Sequence, residues 1–250
     1  MKNFKVLTSF LSVFVLALFM GCDKDAESGS ISIAFDHKVG TEALELENKA
    51  YQSLAGHPFY IYRLKYYVSE IELHQADGTS ISFENIHYRD IADENTRMLD
   101  LGDIPAGDYN RLTFTFGLEE AINIDGGLPN TQTNVNMEWP IPGDQGYHYM
   151  KFEGKYDLNG TGELKNFNLH TGATGGNQNY VEVSLPINEM SVDDNNLSLL
   201  LEMDLMEWLQ NPNTYDFEEF GAMIMMNQNA QTILKENGQT VFSISDVISN

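Results

Sequence analysis

The run "FYIYRLKYYVSEIEL", residues 59–73, is dense in aromatic and β-branched side chains that recur with a period close to two. Wound as a helix, that pattern would scatter its apolar groups around the axis; extended, it gives one apolar face. The same alternation returns elsewhere. "ISIAFDHKV" aligns Ile31, Ile33, Phe35, His37 and Val39, and "RLTFTFGL" aligns Leu112, Phe114, Phe116 and Leu118. "YHYMKFEGKYDL", "ELKNFNLH", "YVEVSLPI" and "LSLLLEMDL" extend the series. Turn chemistry separates these runs at "ADGTS", "DIPAGDYN" and "NGTG". Roughly nine strands at this spacing predict a mainly β protein, an antiparallel β-sandwich in place of a parallel α/β sheet.

Two segments break the pattern. Residues 119–145 contain Gly126, Gly127, Pro129, Pro140, Pro142 and Gly143 and alternate little, which predicts a long irregular loop of the kind that carries function. After Asp204 the period changes. "LMEWLQNP" reads as a helical turn. "FEEFGAMIMMNQNAQTILKENG" reads as one helix with Phe220, Met223, Ile224, Asn227, Gln231 and Leu234 along a stripe and Gly238 as its stop. Within it, "MIMM" reads as core-filling methionine, although thioethers also suit Cu(I).

The chain opens with two lysines, an apolar run from Val6 to Met20 and then Gly21-Cys22. A basic start and about 15 apolar residues make a secretory leader, short of the roughly 20 residues of a membrane span. Cys22 is the single cysteine, so no intrachain disulfide is possible. Its place after a small residue reads as a lipidation site. The expected organisation is a lipoprotein signal at 1–21, a polar tether at 22–29 and one domain at 30–250. The expected location is the cell envelope, anchored to the outer membrane through acyl chains on Cys22. With 14 Lys and Arg against 37 Asp and Glu, the net charge is −23. That excludes nucleic acid as a natural partner.

Motifs for covalent or nucleotide chemistry are missing. There is no GxSxG, no Walker loop, no GxGxxG and no CxxC. Nothing points to an enzyme. The six histidines are more informative. In "GYHYMKFEG" alternation places His148 with Met150 and Phe152 on an apolar face, and His37 shares the apolar face of its own strand. His170 ends "NFNLH" beside Asn166 and Asn168, on a polar face. A neutral imidazole buried without a partner costs a few kcal/mol, so either protein groups satisfy it or a metal does.

Taken in order, "ISIAFDHKVG", "YYVSEIELHQADGT", "IPAGDYNRLTFTFGL", "NMEW", "GYHYMKFEG" and "NFNLHTG" resemble the MbnP-like copper-binding family, from about Ser30 to Asp246. The resemblance implies a β-rich fold and one copper ion held by histidines, for which the matching positions are His37, His148 and His170. In some members a tryptophan oxidised to kynurenine also binds the metal, and a dihaem peroxidase-like enzyme performs the oxidation. Such an enzyme and a copper transporter are the implied partners. Trp139, Tyr147 and Tyr149 stand as candidates for the rim of the site. A second expectation competes: a glycan-binding surface lipoprotein without metal, in which the same three aromatics form an exposed stacking platform.

Overall fold

The computed structural model describes residues 28–141 and 146–249. Among them the strands are β1 (Ser28–Val39), β2 (Glu42–Ala43), β3 (Tyr51–Gln52), β4 (Pro58–Gln75), β5 (Ser80–Phe83), β6 (His87–Asp90), β7 (Met98–Pro105), β8 (Gly107–Phe116), β9 (Met150–Asp157), β10 (Leu164–Thr171), β11 (Val181–Val192), β12 (Asn196–Asp204) and β13 (Phe242–Ser249). Helices are few and short: α1 (Gln132–Met137), α2 (Phe217–Phe220) and α3 (Gln228–Asn237). The predicted leader, Cys22 and most of the tether lie outside the described residues.

The strands form two sheets. One runs β13-β12-β1-β2, with β7 also on β1; the other runs β10-β9-β4-β8-β11, with β3, β5 and β6 also on β4. Pairing is antiparallel except for β1 and β12, which run parallel. The main core lies between the sheets, fed by Ile31, Ile33 and Phe35 from β1, Leu199 and Leu201 from β12, and Leu64, Tyr66, Phe116, Phe152 and Leu169 from the other sheet. The β-sandwich expectation therefore holds. Burial of each of these aliphatic side chains contributes about 1.5–3 kcal/mol before chain entropy is counted.

The long run at 59–73 is one strand, β4, that changes phase twice. Its apolar residues step by two through Phe59 and Ile61, then by three to Leu64, and again from Val68 to Ile71. The pairing register slips at the same places, between Ile61 and Arg63 against β9 and between Ser69 and Glu72 against β8. Each slip is a β-bulge: an extra residue turns the next side chains back to the core and tightens the strand twist. Glu70, inside the second bulge, has φ +49°.

A second, smaller core lies on the outer face of the larger sheet. It joins Tyr67 of β4 to Leu118, Leu128, Met137, Tyr147 and Tyr149. Residues 119–141 form its cover and contain α1, capped by the Thr131 side chain accepting from Asn134 N–H. The single helix expected over 217–238 is not formed. α2 and α3 are separate, and Gly221, at φ +87°, ends the first. The methionine segment between them is a loop. The chain then closes with β13, so the helical region is inserted before a final strand.

Candidate metal centre

His170 lies on β10 opposite Lys151 of β9. Its neighbours Phe167 and Leu169 belong to the main core, so alternation sends His170, Asn168 and Asn166 to the outer face. Glu153 of β9, paired with Asn168, shares that face. Its Oε1 accepts from His170 Nε2 at 2.8 Å, and its Oε2 accepts from Arg63 Nη1 at 2.5 Å. Burial opposes the charge of Glu153. The hydrogen bond from His170 and the cations Arg63 and Lys151 outweigh it and hold the carboxyl below its ordinary pKa.

His148 arrives differently. β9 starts only at Met150, and the chain bends at Tyr149, so His148 leaves the alternation that was expected to put it beside Met150 and Phe152. It is held instead by the end of α1. The Met137 carbonyl accepts from both His148 N–H (2.7 Å) and His148 Nδ1 (2.9 Å). Burial, with Lys151 nearby, pushes the imidazole down to about 3, so the ring is neutral at physiological pH.

The two rings meet at right angles, 5.0 Å between centroids and 86° between planes. Each has one nitrogen pinned to an acceptor, and in a neutral ring the other nitrogen carries a lone pair. Those other atoms, His148 Nε2 and His170 Nδ1, are buried and have no hydrogen-bond partner. Trp139 packs on His148 with centroids 4.7 Å apart, and its Nε1 is buried without a partner as well. Gly172 leaves room for that indole, since a Cβ there would meet Trp139 at 2.6 Å.

The remaining histidines that the sequence offered are satisfied in other ways. His57 faces Asp216 Oδ1 at 3.1 Å through Nε2 and accepts Asn159 N–H at Nδ1. His87 stacks on Phe35 and contacts the Thr96 carbonyl. His37 does not join His148 and His170. It shares a hydrogen bond with Tyr66 at 3.1 Å, and Tyr66 points into the main core. In the register of β4 and β9, Tyr66 pairs with Met150, whereas Lys65 pairs with Lys151, the partner of His170. His37 thus meets the inner face of the larger sheet while His170 stands on its outer face. The expected three-histidine cluster is corrected to a pair.

Trp139, Tyr147 and Tyr149 are 6%, 2% and 0% exposed. The Tyr147 hydroxyl accepts Leu128 N–H, and Tyr149 is hydrogen-bonded to Asn123 and Gln178. Side chains enclosed this way cannot stack on a sugar, so the exposed platform is absent. Glu153, Arg63 and the Met137 carbonyl were not anticipated. Glu153 was visible as a polar-face residue of "GYHYMKFEG", but only the cross-strand pairing brings it to His170.

Two neighbouring imidazoles, each with one buried nitrogen free of hydrogen bonds, are residues that could hold a metal, and the outer shell such a site would need is in place. Ligating histidines donate their second nitrogen to a carboxylate or backbone carbonyl, as these two do. Among the described residues no group of three or more His, Cys, Asp or Glu side chains is placed to hold a metal. A complete coordination sphere therefore needs water or another donor type, and Trp139 is the aromatic in contact.

The sequence profile of the MbnP family matches residues 28–227. No curated protein matches the chain. Among solved structures, MbnP from Methylosinus trichosporium aligns with a TM-score of 0.51 at 14% identity, over 90% of this chain and 99% of that one. At such identity the likeness is one of fold, and it agrees with the two-sheet architecture found here. With the profile spanning most of its length, this chain belongs to the MbnP family.

Proposed function

We propose that this protein is an exported, lipid-anchored copper carrier that holds one ion through His148 Nε2 and His170 Nδ1 for acquisition, storage or delivery. Family membership supports a metal-binding role in general. The observation that carries the finer reading is the pair of buried, unpartnered ring nitrogens in neighbouring, perpendicular imidazoles. Neutral imidazole suits copper, and two nitrogens on one ion lie within about 4 Å of each other. Binding, not catalysis, is what such a pair supplies.

His148→Ala should abolish stoichiometric copper, measured by elemental analysis after loading and desalting, while the β circular dichroism persists. His37→Ala should keep copper, because its ring lies on the other face of the sheet. Full copper retention by His148→Ala would move the site elsewhere.

Trp139 is the residue we assign to oxidative maturation. Its buried Nε1 has no partner and its ring touches His148. A dihaem peroxidase-like partner would use two equivalents of peroxide to break the indole C2–C3 bond, leaving one oxygen on each carbon and reducing both peroxides to water. Hydrolysis would then release C2 as formate and leave an aryl amine as a donor. Peptide mass spectrometry of the protein made together with such a partner should find kynurenine at Trp139. Modification at Trp208 instead would refute the assignment; that residue is buried in the main core against Phe116.

A further inference from the structure

Residues 223–226 place three thioethers within four residues. A single exposed methionine needs no explanation. Here Met223 and Met226 are 62% and 80% exposed, while Ile224 between them is fully buried. The segment is not the helix that would have buried the sulfurs. It follows the free edge of β10: Asn168 N–H donates to the Ala222 carbonyl at 2.7 Å, Met223 bridges Asn168 in the parallel sense, and Thr174 Oγ1 donates to the Met225 carbonyl at 3.2 Å. Gln231, fully buried, ties the two stretches together by donating to the carbonyls of both His170 (2.8 Å) and Ile224 (3.2 Å). Met226 stands in a turn closed by Asn227 N–H on the Ile224 carbonyl.

Paired residues of neighbouring strands point to the same face, so Met223 lies on the face of Asn168 and His170. It is one strand across from His170 and two residues back. Diagonal neighbours of this kind are about 7–8 Å apart, within reach of a long side chain. Thioethers are soft, uncharged donors that select Cu(I), whereas imidazole accepts copper in either state. We propose that Met223 and Met226 capture Cu(I) at the surface and pass it to the His148–His170 pair. This rests on the copper reading of that pair. In the transfer, thioether-to-copper bonds are exchanged for imidazole-to-copper bonds. The metal stays Cu(I) and no electron moves.

The test uses Met223→Leu/Met226→Leu, which keeps apolar bulk at two exposed positions. Apoprotein is mixed with the Cu(I) complex of glutathione, and copper in the protein is followed with time. We expect the double variant to load more slowly by on the order of tenfold, near the lower end of what loss of a metal-site contributor costs. Final stoichiometry and loading from Cu(II) should be unchanged. Equal Cu(I) loading rates would overturn the proposal. A second measurement separates it from the histidine reading: Cu(I), but not Zn(II), should shield Met223 and Met226 from alkylation by iodoacetate even in His148→Ala/His170→Ala. Shielding without any copper at the histidines of the unaltered protein would remove the histidine reading and support the thioether site. Absence of shielding in both proteins would refute the thioether site.

Discussion

At the scale of single residues, the centre depends on which nitrogen of each imidazole is occupied. Glu153 determines this for His170. It is 8% exposed and bound on its far side by Arg63, so its position is constrained from both ends. Glu153→Ala should free the ring to turn and weaken copper binding by about 10- to 100-fold in a competition titration, as loss of such outer partners does. Glu153→Gln retains an acceptor and should fall between the two proteins; affinity in the Ala variant equal to the parent's would contradict this role. His37 shows the opposite use of an imidazole. Burial and then Arg89 push it from 6.5 down to about 3. The unfolded chain takes up a proton below 6.5, and the folded chain does not until about 3. Stability is therefore lost as pH falls across that window, by up to about 1.4 kcal/mol per pH unit from this group. Urea denaturation at pH 7, 6 and 5 should show the stability of His37→Phe improving relative to the parent as pH falls. A constant gap would mean that His37 takes up its proton equally in the folded and unfolded chains, contrary to this account.

At the scale of elements, the period-two runs translated into strands because alternation and burial impose the same requirement. β1, β8, β9 and β10 bury the residues that alternation selects. Even the bulges of β4 were written in the sequence as steps of three between Ile61 and Leu64 and between Val68 and Ile71. The helix over 217–238 failed for a local reason and a tertiary one. Gly221 adopts a positive φ after α2, and the following main chain finds hydrogen bonds along β10 that a helix would have made internally. His148 failed in the same way. It belongs to the strand pattern by spacing, but the antiparallel contact of Met137–Trp139 with Gly146–His148 turns it out of β9.

At the scale of the whole molecule, the two faces of the larger sheet do different work. The inner face builds the sandwich core, and the outer face carries the second core and the histidine pair beside it. The residues on which the proposed export and anchoring rest lie outside the described structure. Our expectation there is that Cys22→Ser leaves the protein unprocessed or moves it from the membrane to the soluble envelope fraction, as fractionation and precursor size would report. An unchanged distribution would rule out lipidation at Cys22.

Sequence by itself determined the β-sandwich, the family and the candidacy of three histidines, because side-chain alternation and residue type are local properties. Tertiary structure alone decided the membership of the site. His37 and His170 both sit on strands, and their separation depends on which face of one shared sheet each meets. That is a matter of cross-strand register: Tyr66, the partner of His37, pairs with Met150, while Lys65, one residue earlier, lies in line with Lys151 and His170. A one-residue offset changes the face, and pairing between distant strands sets that offset.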